Sequence, residues 1–169
     1  SIDTIMSPLD SIRYQKSFLR VGFMSMDPNT GHVKAYVGGP DFTHFQYDMA
    51  SVGRRQIGST VKPFLYTLAM EEGFTPCDMF LNEQPTLITE DGKPWSPRNS
   101  SKARVGEMVS LRWGLANSNN WISARLMDKL SPSSLARLMH SFGIKNKIDE
   151  VISLCLGPVE VSVEEMVTA

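Results

Sequence analysis

Gly58-Ser59-Thr60-Val61-Lys62-Pro63-Phe64-Leu65-Tyr66-Thr67-Leu68-Ala69-Met70 decides how this chain is read. Val61, Leu65, Leu68 and Ala69 fall on one stripe at helical spacing, while Phe64 and Tyr66 lie off it. A helix that is apolar on several faces is a buried one. The spacing therefore predicts a central helix after Ser59, tolerant of Pro63 because it lies near the first turn, and stopped near Gly73. On that helix Ser59 and Lys62, three residues apart, project from the same face. A serine hydroxyl is a weak nucleophile at its ordinary pKa. An amine kept neutral by burial or by positive neighbours can take its proton as it attacks a carbonyl.

On the N-terminal side, Ser7 to Lys16 reads as a short helical or irregular lead-in. Residues 17–26 read as a strand, Asp27-Pro28-Asn29-Thr30-Gly31 as a turn, and residues 32–38 as a second strand, which together make a β-hairpin. The aromatic segment with Phe42, Phe45 and Tyr47 reads as loop as far as Gln56. Residues 74–106 hold Pro76, Pro85, Pro94, Pro97, Gly92 and Gly106, too many breakers for long regular structure, so a long crossing loop with short extended pieces is expected. Ser110 reads as an N-cap for a helix over Leu111 to Ala116, broken by Asn117-Ser118-Asn119-Asn120. Ile122, Leu126 and Leu130 then predict a helix from about Asn120 to Lys129. Ser131-Pro132 opens another that closes at Gly143, and Ser162-Val163-Glu164-Glu165 has capping-box spacing for a last one.

Composition narrows the classes. With 41% hydrophobic and 21% charged residues over 169 positions, the chain has enough length and apolar content for one domain with a core. Its 17 basic and 18 acidic residues leave a formal charge of −1, so no global field recruits nucleic acid or an anionic membrane. Cys77 and Cys155 are too few and too separated for a disulfide framework or a zinc knuckle and are expected as buried free thiols. His32, His44 and His140 show no metal-ligand spacing, so no metal and no cofactor is called for. Arg98, Lys102 and Arg104 read as a solvated basic patch, and the methionines as core filler. No apolar run approaches the roughly 18 residues of a membrane span.

Ser-x-x-Lys gains weight from its setting: a glycine just before the serine, a buried helix after it, and a second polar triplet, Ser118-Asn119-Asn120, between two helices. Met26 to Gly39, Arg54 to Phe64, Trp95-Ser96-Pro97-Arg98-Asn99, Ser110 to Asn120, and Leu156 to Ser162 with Glu165-Met166 together resemble the transpeptidase domain of class A, bifunctional penicillin-binding proteins. The likeness runs from about Leu19 onward. It implies an α+β fold of the penicillin-binding transpeptidase and serine β-lactamase type. It also implies that Ser59 attacks the D-alanyl-D-alanine carbonyl of a peptidoglycan stem peptide, with Lys62 taking its proton. Ser118 would pass a proton to the departing amine, Asn120 would bind the substrate amide and hold Lys62, and the Ser59 N–H would be one oxyanion donor. β-Lactams would acylate the same serine. The resemblance further implies a bacterial envelope location, at the extracytoplasmic face of the inner membrane, with anchoring by a segment outside these residues.

The family's third motif, Lys-Thr-Gly or Lys-Ser-Gly, does not occur in the chain. Residues 1–169 are therefore expected to be a partial transpeptidase domain, with the helical half and first hairpin but without the later strands or a glycosyltransferase domain, and inactive alone. The alternatives are a serine β-lactamase, a penicillin-sensing domain, or a non-catalytic fragment that self-associates through the open edge of its hairpin.

Overall fold

A computed structural model describes residues 3–169. The chain forms an α+β structure of two compact units, one built from residues up to Gly53 with Ser162–Val167, the other from Arg54–Val161 with Thr168–Ala169.

In the first unit, Ser7 caps α1 (Pro8–Ser17) by accepting from the Asp10 N–H at 3.2 Å, and Pro8 sits at the helix start where no N–H is needed. The helix takes Ser17 from the expected strand, residues 18–22 are not strand, and β1 is only Phe23–Met26, paired antiparallel with β2 (Val33–Val37). Gly22 marks that boundary, because its Cα lies so close to the Met49 carbonyl that a side chain there would come within 2.7 Å of it. The turn between the strands is held by Asp27, whose carboxylate accepts the N–H groups of Asn29 and Thr30 at 2.9 and 3.1 Å, and by Gly31 at φ +69°. Those N–H groups keep the Asp27 carboxyl below its ordinary pKa. All five residues of β2 are exposed. Ser162 and Glu165 form the expected capping box: the Ser162 Oγ accepts from Glu165 N at 3.1 Å and the Glu165 carboxylate accepts from Ser162 N at 3.1 Å, opening α6 (Val163–Thr168).

In the second unit the expected central helix is α2, but it starts at Lys62 and ends at Glu71; Gly58–Val61 is a turn of 3-10 helix leading into it. Ser59 therefore lies on the 3-10 turn and Lys62 at the start of α2, joined through the backbone by the Lys62 N–H donated to the Ser59 carbonyl. Val61, Leu65 and Ala69 are fully buried, joined by Leu68 and Tyr66. Around α2 pack α3 (Leu111–Ala116), α4 (Asn120–Lys129), α5 (Pro132–Ser141) and a 3-10 segment, Ile152–Leu156. Their buried faces supply Leu111, Ile122, Leu126, Met127, Leu135, Met139 and Leu154. The long crossing segment contains β4 (Met79–Leu81), β5 (Leu87–Ile88) and β6 (Pro94–Trp95), followed by β7 (Met108–Ser110). β4 pairs with β7 and β5 with β6, both antiparallel. β3 (Arg54–Gln56) falls where loop was expected, because its backbone pairs with β8 (Glu160–Ser162), a partner distant in sequence.

Cys155 is buried as expected, but Cys77 is exposed. It sits in the turn between α2 and β4, where the neighbouring carbonyls of Pro76 and Asp78 accept from Arg112 N and Leu111 N and the side chain is left outward.

The serine-bearing turn is fixed by a glycine pair. Gly58, at φ +52°, donates its N–H to the Gly157 carbonyl at 3.0 Å, and the preceding Ile57 N–H bonds Val159 at 3.1 Å. Gly157 is at φ +70°, and a Cβ there would lie 2.1 Å from the Gly58 carbonyl oxygen. The oxygen is backbone and the Cβ position is set by the backbone, so neither yields to a rotamer change. Gly157→Ala is expected to cost about 3 kcal/mol or more of unfolding free energy, read by urea denaturation. A loss below about 1 kcal/mol would contradict this contact.

Candidate active site

The site is assembled from two helix junctions. Ser59 is exposed on the 3-10 turn, and its carbonyl accepts the Lys62 backbone N–H. Lys62, the first residue of α2, is 1% exposed. Its ammonium donates to the Ser118 carbonyl oxygen at 2.6 Å, to the Ser118 hydroxyl at 3.0 Å and to Asn120 Oδ1 at 2.7 Å. Lys62, Ser118 and Asn120 are thus brought together, whereas Ser59 stands one 3-10 turn away, without a hydrogen bond to the amine. Asp48 belongs to the other unit, where it accepts from Ala50 N, Ser51 N and the Tyr36 hydroxyl, so it is a turn residue.

Among the described residues no carboxylate pairs with Lys62. Burial therefore dominates and lowers its pKa to about 8, an effect that a Cys155 thiolate would oppose. Burial in turn pushes the thiol up to about 12, so at neutral pH Cys155 is uncharged and offers no counter-ion. The partner set suits both states of the amine. An ammonium has three protons for three oxygens; a neutral amine has two protons for the Ser118 carbonyl and the Asn120 amide, and a lone pair that a hydroxyl can address.

Ser118 holds this position at a conformational cost. α2 and α5 end in Schellman motifs with glycine in the left-handed position: Gly73 at φ +92° and Gly143 at φ +101°. α3 ends the same way, with Ser118 N bonded to Leu115 O and Asn119 N to Gly114 O at 2.9 Å each, but the left-handed residue is Ser118, at φ +48°. A serine where glycine is favoured is backbone strain, here at a residue that contacts Lys62 through both its carbonyl and its hydroxyl. Asn119 then turns the chain into α4, its side-chain oxygen accepting from Trp121 N and Ile122 N at 2.9 and 3.0 Å. Its Nδ2 donates to buried Asn82, which binds the Ala103 and Arg104 carbonyls. Arg104 of the expected basic patch pairs with Glu107 at 2.8 Å and lies over the Trp113 ring.

Sequence reasoning missed the Asn82–Asn119 link and the approach of Cys155 to Lys62. Each joins residues 37 or more positions apart, and neither has a periodic signal, although an asparagine ending the apolar run Phe80-Leu81 was the available clue.

Ser118→Gly and Ser118→Ala both delete the hydroxyl, but only glycine relieves the strain. The glycine variant is expected to be more stable than the alanine variant by about 1 kcal/mol in urea denaturation. Alanine equal to or above glycine would contradict the left-handed assignment.

Comparison with known proteins places this geometry. Residues 21–153 match the family described as "Penicillin binding protein transpeptidase domain". The chain is 36% identical over 148 residues to penicillin-binding protein 1A of Rickettsia conorii, covering 86% of this chain and 18% of that protein. It is 34% identical over 154 residues to penicillin-binding protein 2D of Bacillus subtilis, covering 90% of this chain and 22% of that one. It thus spans about a fifth of the length of these relatives. The crystal structure of penicillin-binding protein 1A from Haemophilus influenzae superposes with a TM-score of 0.80 at 27% identity, covering 86% of this chain and 22% of that chain. PonA1 of Mycobacterium tuberculosis gives 0.71 at 25% identity, covering 85% and 40%. These matches favour the transpeptidase reading over the β-lactamase and sensor alternatives, and the chain belongs to the penicillin-binding protein transpeptidase domain family.

Proposed function

We propose that the chain supplies the nucleophile and base of a peptidoglycan cross-linking D,D-transpeptidase. The observation that carries this reading is Lys62, buried with no carboxylate partner among the described residues and with its pKa lowered to about 8, one 3-10 turn from the exposed Ser59. The Ser59 Oγ attacks the penultimate D-alanine carbonyl as its proton passes to the neutral Lys62 amine, forming an Oγ–C bond. Collapse of the tetrahedral adduct breaks the C–N bond, and the departing D-alanine amine receives a proton from Lys62 through the Ser118 hydroxyl. Asn120 keeps Lys62 in register during both transfers. A stem-peptide amine then attacks the ester carbonyl, its new C–N bond forming as the C–Oγ bond breaks and its proton passing through Lys62 to the Ser59 Oγ. β-Lactams acylate Ser59 by the same attack, with opening of the lactam C–N bond. The proposed setting is the bacterial cell envelope, at the extracytoplasmic face of the inner membrane, with the membrane anchor outside these residues.

No Lys-Thr-Gly or Lys-Ser-Gly triplet occurs among the 169 residues, so we expect the isolated chain to acylate far more slowly than the full-length product of its gene. The exposed strand β2 is the proposed surface for self-association, read as a concentration-dependent mass in light scattering and overturned by a monomer at every concentration.

The test is labelling of the full-length product with fluorescent penicillin. Ser59→Ala is expected to abolish labelling, and Lys62→Met to slow it by about a thousandfold or more. Because acylation needs neutral Lys62, the rate is expected to rise with pH and level off above about 8. Labelling that survives Ser59→Ala, or a rate flat from pH 6 to about 9, would overturn the assignment.

A further inference from the structure

Three consecutive residues of the long loop each take one hydrogen bond from the first turn of α4. Trp121 Nε1 donates to the Pro97 carbonyl at 3.0 Å, Asn120 Nδ2 to the Arg98 carbonyl at 2.8 Å, and the Asn120 backbone N–H to Asn99 Oδ1 at 3.1 Å. The loop is itself tied down, since Gln84 Nε2 also donates to Pro97 O at 3.1 Å and Asn99 Nδ2 donates to Ser101 O at 3.0 Å. The Asn99 contact fills a gap in helix capping. Asn119 satisfies the N–H groups of Trp121 and Ile122, and Asn99 reaches the Asn120 N–H that Asn119 leaves over.

The consequence lies in the orientation of one amide. A carboxamide has a donor end and an acceptor end, so a partner that only accepts dictates what the other end presents. A backbone carbonyl only accepts. With Arg98 O on Nδ2, the Asn120 side chain must present Oδ1 to Lys62. A rotated amide would set an NH2 against the amine and two oxygens against each other, losing both hydrogen bonds.

We propose that Pro97–Asn99 is the positioning element of the Ser59–Lys62 pair and that Asn99 is a positioning residue for the reaction. Its side-chain oxygen holds the first turn of α4 against the loop, and that turn holds the Asn120 amide on Lys62. Asn99 acts through Asn120 and needs no contact with substrate. This inference rests on the nucleophile and base reading given above for its effect on rate, while its structural part stands apart from that reading.

The test uses two readouts. In this chain, NMR follows hydrogen exchange of the Asn120 side-chain NH2; in the full-length product, penicillin acylation is timed. Asn99→Ala is expected to speed the exchange about tenfold and to slow acylation roughly ten- to a hundredfold. Asn99→Asp keeps the oxygen that accepts from the Asn120 N–H and sets a negative charge at a helix N-terminus but loses the donor to Ser101 O, so it is expected to recover each readout at least about threefold relative to Asn99→Ala without reaching wild type. Leu126→Val loosens the buried face of the same helix and is expected to lower the melting temperature without changing either readout. The proposal is overturned if Asn99→Ala matches wild type, if Asn99→Asp is as impaired as Asn99→Ala, or if Leu126→Val reproduces the Asn99→Ala pattern. Should wild type and Ser59→Ala label alike, the nucleophile reading falls, and the amide exchange alone still decides whether Asn99 positions Asn120.

Discussion

Lys62 carries its amine into the interior of the second unit and meets three neutral oxygens there, with no carboxylate beside it among the described residues. Taking an ammonium out of water disfavours its charged form, and the three oxygens return only part of the lost hydration. The result is an amine whose pKa falls to about 8, so that roughly a tenth of it is neutral at pH 7 where an ordinary lysine is almost wholly charged. A carboxylate in place of any of these partners would hold it protonated. Neutral dipoles stabilise either protonation state enough to keep the side chain in place.

Much of the surrounding architecture serves to hold those oxygens still. The Ser118 carbonyl and hydroxyl come from a helix end closed with a serine in a left-handed conformation, and Asn120 from the first turn of the next helix. One residue, Asn119, separates them, and its side chain is spent on capping α4 and on the buried contact with Asn82. The acceptors therefore sit on a junction tied from both sides. Ser59 is fixed differently, by the close backbone contact of Gly58 with Gly157, which leaves the serine exposed and the lysine behind it buried.

The parts legible in the sequence were those with local causes. Ser110, Ser131 and Ser162 were readable as helix starts, Gly73 and Gly143 as helix ends, and Ile122 with Leu126 as a buried face, because caps and 3.6-residue spacing act over a few positions. The meeting of Lys62 with Ser118 and Asn120 was readable from motif spacing and family likeness, while no hydrogen bond joins Ser59 to the amine. Features set by distant partners were not. β3 exists because β8 lies beside it, and β1 is short because α1 extends further than Lys16 and Gly22 packs on Met49. Asn99 was quoted for its likeness to a family segment, yet its contact with the Asn120 N–H spans 21 positions and follows no periodic rule. Cys77 was misread because neighbouring apolar residues say little about a side chain in a turn whose backbone is engaged on the inner side.

The most direct measurement is the NMR titration of the Lys62 amine, with Nζ followed from pH 6 to about 12 in protein carrying 15N-labelled lysine. A midpoint at about 8 is the expected result. A midpoint at the ordinary lysine value of 10.5 would show an amine that remains charged near neutral pH, and would contradict its assignment as the base for Ser59.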